Sequence, residues 1–276
     1  MELKGPPFEV LSIGNELLIG KTLNTNGRWL ARQITLLGGF CTRMTVIRDD
    51  LEEISSTFRE ILQRSPRFLI SSGGLGPTYD DLTLEGLSKA LGIPLKLHKD
   101  ALSWIIKKYR DLYVRGVVRD PGLTAQRRKM ALLPLGSRPL QNPVGVAPGI
   151  LIERGETKIV CLPGVPEELK SIFKDSVKKE IIREIGHYRF IESRFIVQDI
   201  SESSLAPIVE EAVRAYSPLL YIKTHPRDRS PNVTVEFHIT SQGRDGKLLE
   251  NRVSEATKYL KERVKKLGGK IIEDTS

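Results

Sequence analysis

A glycine-rich segment, Gly73-Gly-Leu-Gly76, follows a short apolar run and is a candidate for binding phosphate. Its three glycines let the backbone approach a ligand closely and point successive N–H groups toward it. The helix expected after the segment would add the positive end of its dipole. The segment is neither a Walker sequence nor a GxGxxG dinucleotide fingerprint. The alternative is a tight strand-to-helix turn that binds nothing.

Acidic residues stand close to this segment and after two other apolar runs. They are Glu16, Asp49, Asp50, Asp80 and Asp81. A carboxylate repels phosphate oxygens, so either a divalent cation lies between them or the acid holds a sugar hydroxyl or a base nitrogen instead. Oxygen ligands of this kind suit magnesium or manganese. Both arrangements favour a nucleotide-like ligand.

Helix capping is the structural alternative for several of these acids. Asp50-Leu-Glu-Glu53 has the form of a capping box, which favours Asp50 as the N-cap of a helix. We likewise expect Asp80 or Asp81 to cap the next helix, leaving the other acid free to bind a ligand. Glu16 could be a solvated loop residue, and Thr83 could simply supplement the cap.

Two further loops are rich in glycine and proline and could contact the same ligand. They are Asn142–Gly149 (NPVGVAPG) and Leu162–Glu168 (LPGVPEE), and the alternative for both is a rigid turn. We therefore extend the candidate ligand-binding residues, beyond the three glycines, to Asn26, Thr78, Thr83, Asn142 and Gly164. The basic run Arg127-Arg128-Lys129 is either a solvated helix face or a contact for phosphate.

Strands and helices alternate around these segments. Predicted strands are Phe8–Ile13, Phe40–Ile47, Arg67–Ser71, Ile150–Glu153 and Lys158–Leu162. Predicted helices are Asn24–Leu37, a segment from Asp50 through Leu62, Asp81–Leu91, Lys99–Met130 with a break at Arg115–Gly122, and a segment after Pro166. This order predicts an α/β fold with a mostly parallel sheet and helices on both faces. Ligands of such sheets bind beyond the carboxyl ends of the strands, where the glycine segment and the acids should meet.

The chain of 276 residues is longer than one average domain. We place a boundary near Gly186, which gives domains of residues 1–186 and 187–276. Predicted elements of the second domain are strand Phe190–Ile200, helix Ser203–Tyr216, strands Leu219–Ile222 and Val233–Thr240, and helix Leu248–Leu267, with Gly268–Ser276 as a final strand or a frayed end. This order predicts a small α+β domain with its helices on one face of a sheet.

Composition narrows the class of protein. The formal net charge of +9 favours anionic partners in general, but no basic run is interleaved with aromatic residues, which argues against nucleic acid as the ligand. Cys41 and Cys161 lie far apart without a CxxC spacing, as expected of buried thiols in a reducing compartment. No run approaches the roughly 20 apolar residues of a membrane span, and the N-terminus lacks the order of a signal peptide. We expect a cytoplasmic protein without a membrane partner.

Three motifs together resemble the competence/damage-inducible CinA family. They are Ser12–Gly20 (SIGNELLIG), Gly73–Thr83 (GGLGPTYDDLT) and Leu162–Glu168, and the Asn142–Gly149 loop resembles a further signature of that family. Within the family they are similar to the molybdopterin-binding-like domain shared with MoaB and MogA. The resemblance covers Phe8 to Phe173 closely, and the residues from Phe190 onward look like a smaller accessory domain.

The resemblance implies a three-layer MoaB/MogA-like sandwich and a homo-oligomer. It also implies hydrolysis of the pyrophosphate in ADP-ribose or a related dinucleotide, with magnesium, manganese or cobalt and with or without a monovalent cation. By the same resemblance Asp81, and either Asp49 or Asp50, match acids of the cofactor-synthesis relatives. From the carboxylates beside the glycine segment we expect Asp81, Asp49 and Asp50 to be catalytic, and Asp81, Asp80 and Glu16 to bind the metal. The alternative is a protein that binds molybdopterin or a nucleotide without hydrolysing it.

Two departures from the family pattern limit what can be carried over. Leu75 stands where the cofactor-synthesis relatives usually carry threonine, which weakens the molybdopterin interpretation. Full-length CinA proteins continue into a nicotinamide-mononucleotide deamidase domain with its own serine motif. Nothing after Phe190 resembles that domain, so we expect no deamidase activity from these residues.

Overall fold

The computed structural model describes residues 5–216, 220–228 and 234–272. Contacts between Cα atoms divide the chain into two compact units. The first unit comprises Pro6–Thr35 and Gly39–Gly186, and the second is built mainly on the residues from His187 onward. Each unit has its own buried apolar core.

The first unit contains a six-stranded sheet in the order β2-β1-β3-β8-β7-β6 and a separate two-stranded ribbon of β4 and β5. The strands are β1 (Pro7–Ile13), β2 (Phe40–Ile47), β3 (Phe68–Ser72), β4 (Leu95–Leu97), β5 (Leu132–Pro134), β6 (Arg138–Leu140), β7 (Gly149–Arg154) and β8 (Thr157–Leu162). Strands β2, β1, β3 and β8 are parallel, whereas β7 and β6 are antiparallel additions. The carboxyl ends of the four parallel strands therefore share one edge.

Helices connect these strands. They are α1 (Asn15–Leu18), α2 (Thr25–Leu36), α3 (Leu51–Gln63), α4 (Thr83–Leu91), α5 (Lys99–Val114), α6 (Ala125–Lys129), α7 (Pro166–Ile172) and α8 (Lys178–Ile185), with one π-helical turn, Phe173–Val177, between the last two. Asp50 caps α3 by accepting a hydrogen bond from the Glu53 N–H at 2.9 Å. The capping interpretation of Asp50 is confirmed.

Side chains of the parallel strands alternate between two buried faces. On one face Leu11 and Leu69 form a cluster with apolar residues of α3, α4 and α5. On the other face the rings of Phe8 and Phe68 stack with centroids 4.8 Å apart, and burial of each ring stabilises the fold by about 1.5–3 kcal/mol. A Cβ atom at Gly39 would lie 2.6 Å from Phe8 and 2.8 Å from Ile34, which places α2 on this second face. Helices thus cover both faces, and the predicted three-layer α/β fold is confirmed.

The second unit is a four-stranded antiparallel sheet in the order β10-β11-β9-β12 with two helices. Its elements are β9 (Arg189–Gln198), α9 (Glu202–Tyr216), β10 (Tyr221–Asp228), β11 (Thr234–Gly243), α10 (Gly246–Lys266) and β12 (Lys270–Ile272). Its core joins the inward residues of the strands, such as Phe195 and Phe237, to Leu205 of α9 and Leu260 of α10. The predicted α+β order is confirmed, although Leu219, Val233 and residues 273–276 of those predictions lie outside the described residues.

No helix within the described ranges is both long and apolar enough to cross a bilayer.

Candidate functional site

A cleft of about 490 Å³ lies at the carboxyl edge of the parallel sheet. The loops after β1, β2, β3 and β8 contribute its lining, together with Gly145–Ala147, Tyr109 of α5 and Met130. Small-molecule sites commonly enclose roughly 300–1,000 Å³ and occur at this edge of open α/β sheets. The structure thus brings the glycine segment, the acidic loops and both Gly/Pro-rich loops to one place.

The segment Gly73–Gly76 turns sharply as it leaves β3. Gly73 has a φ of +105°, and a Cβ there would lie 2.1 Å from the carbonyl oxygen of Ile13; Gly74 has a φ of +64°, and its Cβ would lie 2.3 Å from Thr83 Oγ1. Only glycine fits these two positions without strain. Within the described chain, no hydrogen-bond acceptor engages the N–H groups of Gly74, Leu75 or Gly76. The three residues line the cleft, and N–H groups without an acceptor there suit an anionic ligand.

Thr83 holds the glycine segment from below. It is fully buried; its hydroxyl donates to the carbonyl oxygen of Gly73 at 2.8 Å, and its N–H donates to that of Gly74 at 3.2 Å. Because Thr83 lies beneath the segment and does not line the cleft, its position is that of a support for the ligand-binding loop.

The expectation that Asp80 or Asp81 caps the following helix was wrong. The N-cap position of α4 is Leu82, which makes no side-chain capping bond. The Asp81 carboxylate instead accepts a hydrogen bond from the Thr78 N–H at 2.8 Å, and the Thr78 hydroxyl lies within hydrogen-bond reach of both Asp80 and Asp81. Thr78, predicted to bind phosphate, therefore uses both of its donors to position the two aspartates.

Asp49 is the centre of the acidic group. Its Oδ2 accepts a hydrogen bond from the Asn15 N–H at 2.8 Å. Burial raises the pKa of Asp49, and the nearby charges of Glu16, Asp80 and Asp81 raise it further against the opposing effect of the Asn15 bond. In contrast, the hydrogen bond from Thr78 lowers the pKa of Asp80. The structure thus brings three of the other four predicted acids, Glu16, Asp80 and Asp81, within electrostatic reach of Asp49.

Asp50, the fifth predicted acid, is separated from this group. It is exposed, caps α3 and does not line the cleft. Because Asp50 does not line the cleft, it is not placed to contact a ligand there. The two adjacent residues Asp49 and Asp50 therefore have different tasks, because one follows the strand into the cleft and the other begins the helix.

Asn26 and Asn142 lie behind the cleft lining. Asn26 Nδ2 donates to the carbonyl oxygen of Gly164 at 2.7 Å and so holds the loop after β8. Asn142 is buried; its Oδ1 accepts from the N–H groups of Val144 and Gly145, and its Nδ2 donates to the Ala147 carbonyl. Of the three candidates Asn26, Asn142 and Gly164, only Gly164 lines the cleft. The two asparagines organise the loops.

A divalent ion has acidic neighbours here but no preformed set of protein ligands. No group of three or more His, Cys, Asp or Glu side chains within the described ranges is arranged to hold a metal ion. Magnesium is commonly bound by one or two carboxylates plus substrate phosphates and water, not by an all-protein cage. Asp49 and Asp81 are carboxylates of the cleft that follow β2 and the glycine segment, respectively.

Comparison with known proteins identifies the first unit. Residues 9–183 match the family model described as "probable molybdopterin binding domain". A solved structure of the protein CinA from Thermoplasma acidophilum is 42% identical, with a TM-score of 0.58 over 64% of this chain and 99% of that one. The chain belongs to the CinA family of molybdopterin-binding-like proteins.

Relatives of this CinA-family protein match nearly its whole length. A protein of Sulfurisphaera tokodaii is 42% identical over 96% of this chain and 97% of its own. The tungsten cofactor synthesizing protein MoaB from Pyrococcus furiosus is 17% identical over 67% of this chain and 99% of its own, with a TM-score of 0.41. Family membership indicates a role that involves a small pterin or nucleotide ligand.

One side chain of the CinA-family cleft was missed by the sequence analysis. Glu168 lies at the end of the LPGVPEE segment, lines the cleft and accepts a hydrogen bond from Asn142 Nδ2 at 2.6 Å. Burial raises the pKa of Glu168, opposed by the Asn142 bond and by the charge of Lys108. The signal was present in a motif already singled out, but the contact joins residues 26 positions apart and so depends on the fold.

The basic run of this CinA-family protein supports the cleft without lining it. Lys129 Nζ donates to the carbonyl oxygen of Thr78 at 2.8 Å. The Arg127 guanidinium lies 3.8 Å above the ring centroid of Tyr109, which does line the cleft. The described residues that line the cleft of this basic protein include no lysine or arginine. They include five carboxylates, Glu16, Asp49, Asp80, Asp81 and Glu168.

Proposed function

We propose that this CinA-family protein is a hydrolase that cleaves the pyrophosphate bond of ADP-ribose or a related dinucleotide with the help of a divalent ion. One observation carries the proposal: residues of the glycine segment whose N–H groups have no acceptor in the described chain line a cleft whose charged lining side chains are all acidic. In a basic protein, this arrangement suits a ligand that brings both negative oxygens and its own cation. A magnesium or manganese complex of a nucleotide has this composition.

The residues of the chain would divide the work as follows. The N–H groups of Gly74, Leu75 and Gly76 bind phosphate oxygens, and Thr83 keeps those donors in place. Asp81 would hold the ion and is oriented by Thr78, whereas Asp49 stays free for proton transfer. When bound, the ion would polarise a phosphoryl oxygen and lower the pKa of water.

Asp49 also has the features of a general base. Its Oδ2 is occupied by the Asn15 N–H, so Oδ1 is the oxygen left to accept a proton from an attacking water. A carboxylate with a raised pKa is a better proton acceptor than an ordinary one. The Asn15 bond fixes the direction in which Oδ1 points.

The direct test follows AMP release from ADP-ribose with magnesium, manganese or cobalt. We expect turnover by the wild type and a loss of at least roughly 100-fold in Asp81→Asn. Asp111→Asn, an exposed aspartate of α5 outside the cleft, is the matched control and should retain the wild-type rate. Equal rates for the wild type and Asp81→Asn would remove Asp81 from the mechanism, and no AMP with any of the three metals would reject the hydrolase.

A second candidate function is binding of molybdopterin or a nucleotide without turnover. The family model that matches residues 9–183 favours it. Calorimetry separates the two candidates. Tight binding of molybdopterin or its adenylylated form, together with no hydrolysis under any metal, would support the binding protein.

A further inference from the structure

The cleft has two chemically different ends. Asp49 follows β2 and Glu168 follows β8, which are three strand positions apart in the sheet. At the usual strand spacing this separation is roughly 14 Å, and Glu168 is not among the charges that influence Asp49. The glycine segment after β3 lies between them. A phosphate held by that segment therefore leaves the Glu168 end for another part of the ligand.

The surfaces at the Glu168 end suit a flat heterocycle. Tyr109, Val146 and Val165 line the cleft, and each lies next to or within a few residues, in sequence, of Glu168 or of a residue that contacts or acts on it. Arg127 stacks on the Tyr109 ring and fixes its plane. Aromatic and apolar walls with one polar group are the common composition of a site for a ring system.

Asn142 determines which hydrogen-bonding group faces the cleft. Backbone N–H groups can only donate, and those of Val144 and Gly145 both point at Asn142 Oδ1, at 3.2 and 2.7 Å. Asn142 must therefore present its NH₂ group to Glu168, and it donates to Oε2. Within the described chain no donor is bonded to Oε1. Glu168 lines the cleft, so Oε1 is the oxygen left to accept a hydrogen bond from a ligand.

We propose that Glu168 determines ligand specificity by accepting, through Oε1, a hydrogen bond from an exocyclic amino group on the nitrogen heterocycle of the ligand. Asn142 is the positioning residue that fixes the orientation of the carboxylate. The ligand class is an amino-substituted purine nucleotide, such as adenine, in preference to a keto-substituted one such as hypoxanthine. The inference rests on the proposed function only in requiring that a nucleotide occupies the cleft.

The geometry makes an unusual prediction for Glu168→Gln. Because Asn142 can only donate to this side chain, the new amide must turn its oxygen toward Asn142 and its NH₂ toward the cleft. The substitution therefore converts the acceptor in the cleft into a donor and leaves the loop hydrogen bond intact. A donor at this place repels an amino group and pairs with a carbonyl oxygen, so the preference for the base should reverse.

The experiment measures binding separately from hydrolysis. The probes are the α,β-methylene analogues of ADP-ribose and of inosine diphosphate ribose, titrated calorimetrically with magnesium into the wild type, Glu168→Gln and Glu167→Gln. Glu167 is the exposed neighbour on the same helical turn and does not line the cleft, so it controls for loss of charge. We expect the wild type and Glu167→Gln to prefer the adenine analogue by about tenfold or more, and Glu168→Gln to prefer the hypoxanthine analogue.

The outcomes distinguish this inference from the proposed function. Three results would overturn the inference. Glu168→Gln could keep the wild-type preference for the adenine analogue, the wild type could bind both analogues equally well, or neither analogue could bind. Reversal of the order in a protein that releases no AMP from ADP-ribose would support the inference and reject the hydrolase. A purely structural role for Glu168 would weaken binding of both analogues equally and would not exchange their order.

Discussion

The hydroxyl of Thr83 donates a hydrogen bond to the carbonyl oxygen of Gly73 at 2.8 Å, in the fully buried floor of the glycine segment. Thr83→Val keeps the shape but leaves that carbonyl without a donor, so we expect the free energy of unfolding to fall by about 1–3 kcal/mol. Urea unfolding followed by tryptophan fluorescence reports on the first unit, because the two tryptophans, Trp29 and Trp104, both lie in it. Thr83→Ser retains the hydroxyl, so its free energy of unfolding should fall by less. Equal decreases in the two variants would contradict a stabilising role for this hydrogen bond.

Much of the fold follows from periodicity and caps. The strand Phe40–Ile47 was predicted with its observed bounds, and Asp50 caps α3 as its sequence context indicates. The three-residue strands β4, β5 and β6 and the four-residue helix α1 were not predicted. Segments of that length are too short to show a period. The three strands among them are defined by hydrogen bonds to other strands, which the local sequence does not reveal.

The only part of the site that the sequence predicts is the set of residues placed by the ends of the parallel strands. Parallel strands bring their carboxyl ends together, and this is why Glu16, Asp49, Asp80 and Asp81 could be grouped from sequence. The tasks of Thr78, Thr83 and Asn142 could not be predicted, because each depends on a turn that directs a side chain toward backbone beneath the ligand surface. Local sequence identified the loops, and tertiary contacts decide which atoms face the cleft.

Glycine should be required at position 73 but not at position 164. An alanine Cβ at Gly73 would meet the carbonyl oxygen of Ile13 at 2.1 Å in a backbone conformation with φ +105°. At Gly164, it would meet only the Cα of Gly73 at 3.5 Å, an ordinary contact. We expect Gly73→Ala to destabilise the first unit by at least about 2 kcal/mol and Gly164→Ala to lie within about 0.5 kcal/mol of the wild type. Similar urea midpoints for the two variants would contradict this prediction, because they would show that the backbone at position 73 can accommodate a Cβ atom.

Asp49→Asn should make the protein more stable and less active. The folded state raises the pKa of Asp49, so the charged form destabilises the fold, and this cost disappears as the pH falls below about 4. We expect the variant to melt about 1–2 °C above the wild type at pH 7, with the difference vanishing at acidic pH, and to release AMP at least roughly 100-fold more slowly.

Asp50→Asn is the control for that comparison. Asparagine caps a helix about as well as aspartate, and Asp50 does not line the cleft. We therefore expect near wild-type rates and melting temperatures. If Asp50→Asn released AMP slowly and Asp49→Asn retained the wild-type rate, Asp50 and not Asp49 would be the catalytic residue.

Metal binding should depend on the nucleotide. The described residues offer carboxylates around the cleft but no three-residue ligand set, so manganese alone has too few protein ligands to be held tightly. With the methylene analogue of ADP-ribose present, phosphate oxygens complete the coordination, and binding should strengthen at least about tenfold. Electron paramagnetic resonance of free manganese, titrated with protein in the presence and absence of the analogue, measures both affinities. Because the coupling of two ligands is reciprocal, manganese should increase the affinity for the analogue by the same factor.

Tight binding of manganese without the analogue would instead indicate a resident metal ion. Loss of the coupling in Asp81→Asn would identify Asp81 as the group that connects the two ligands.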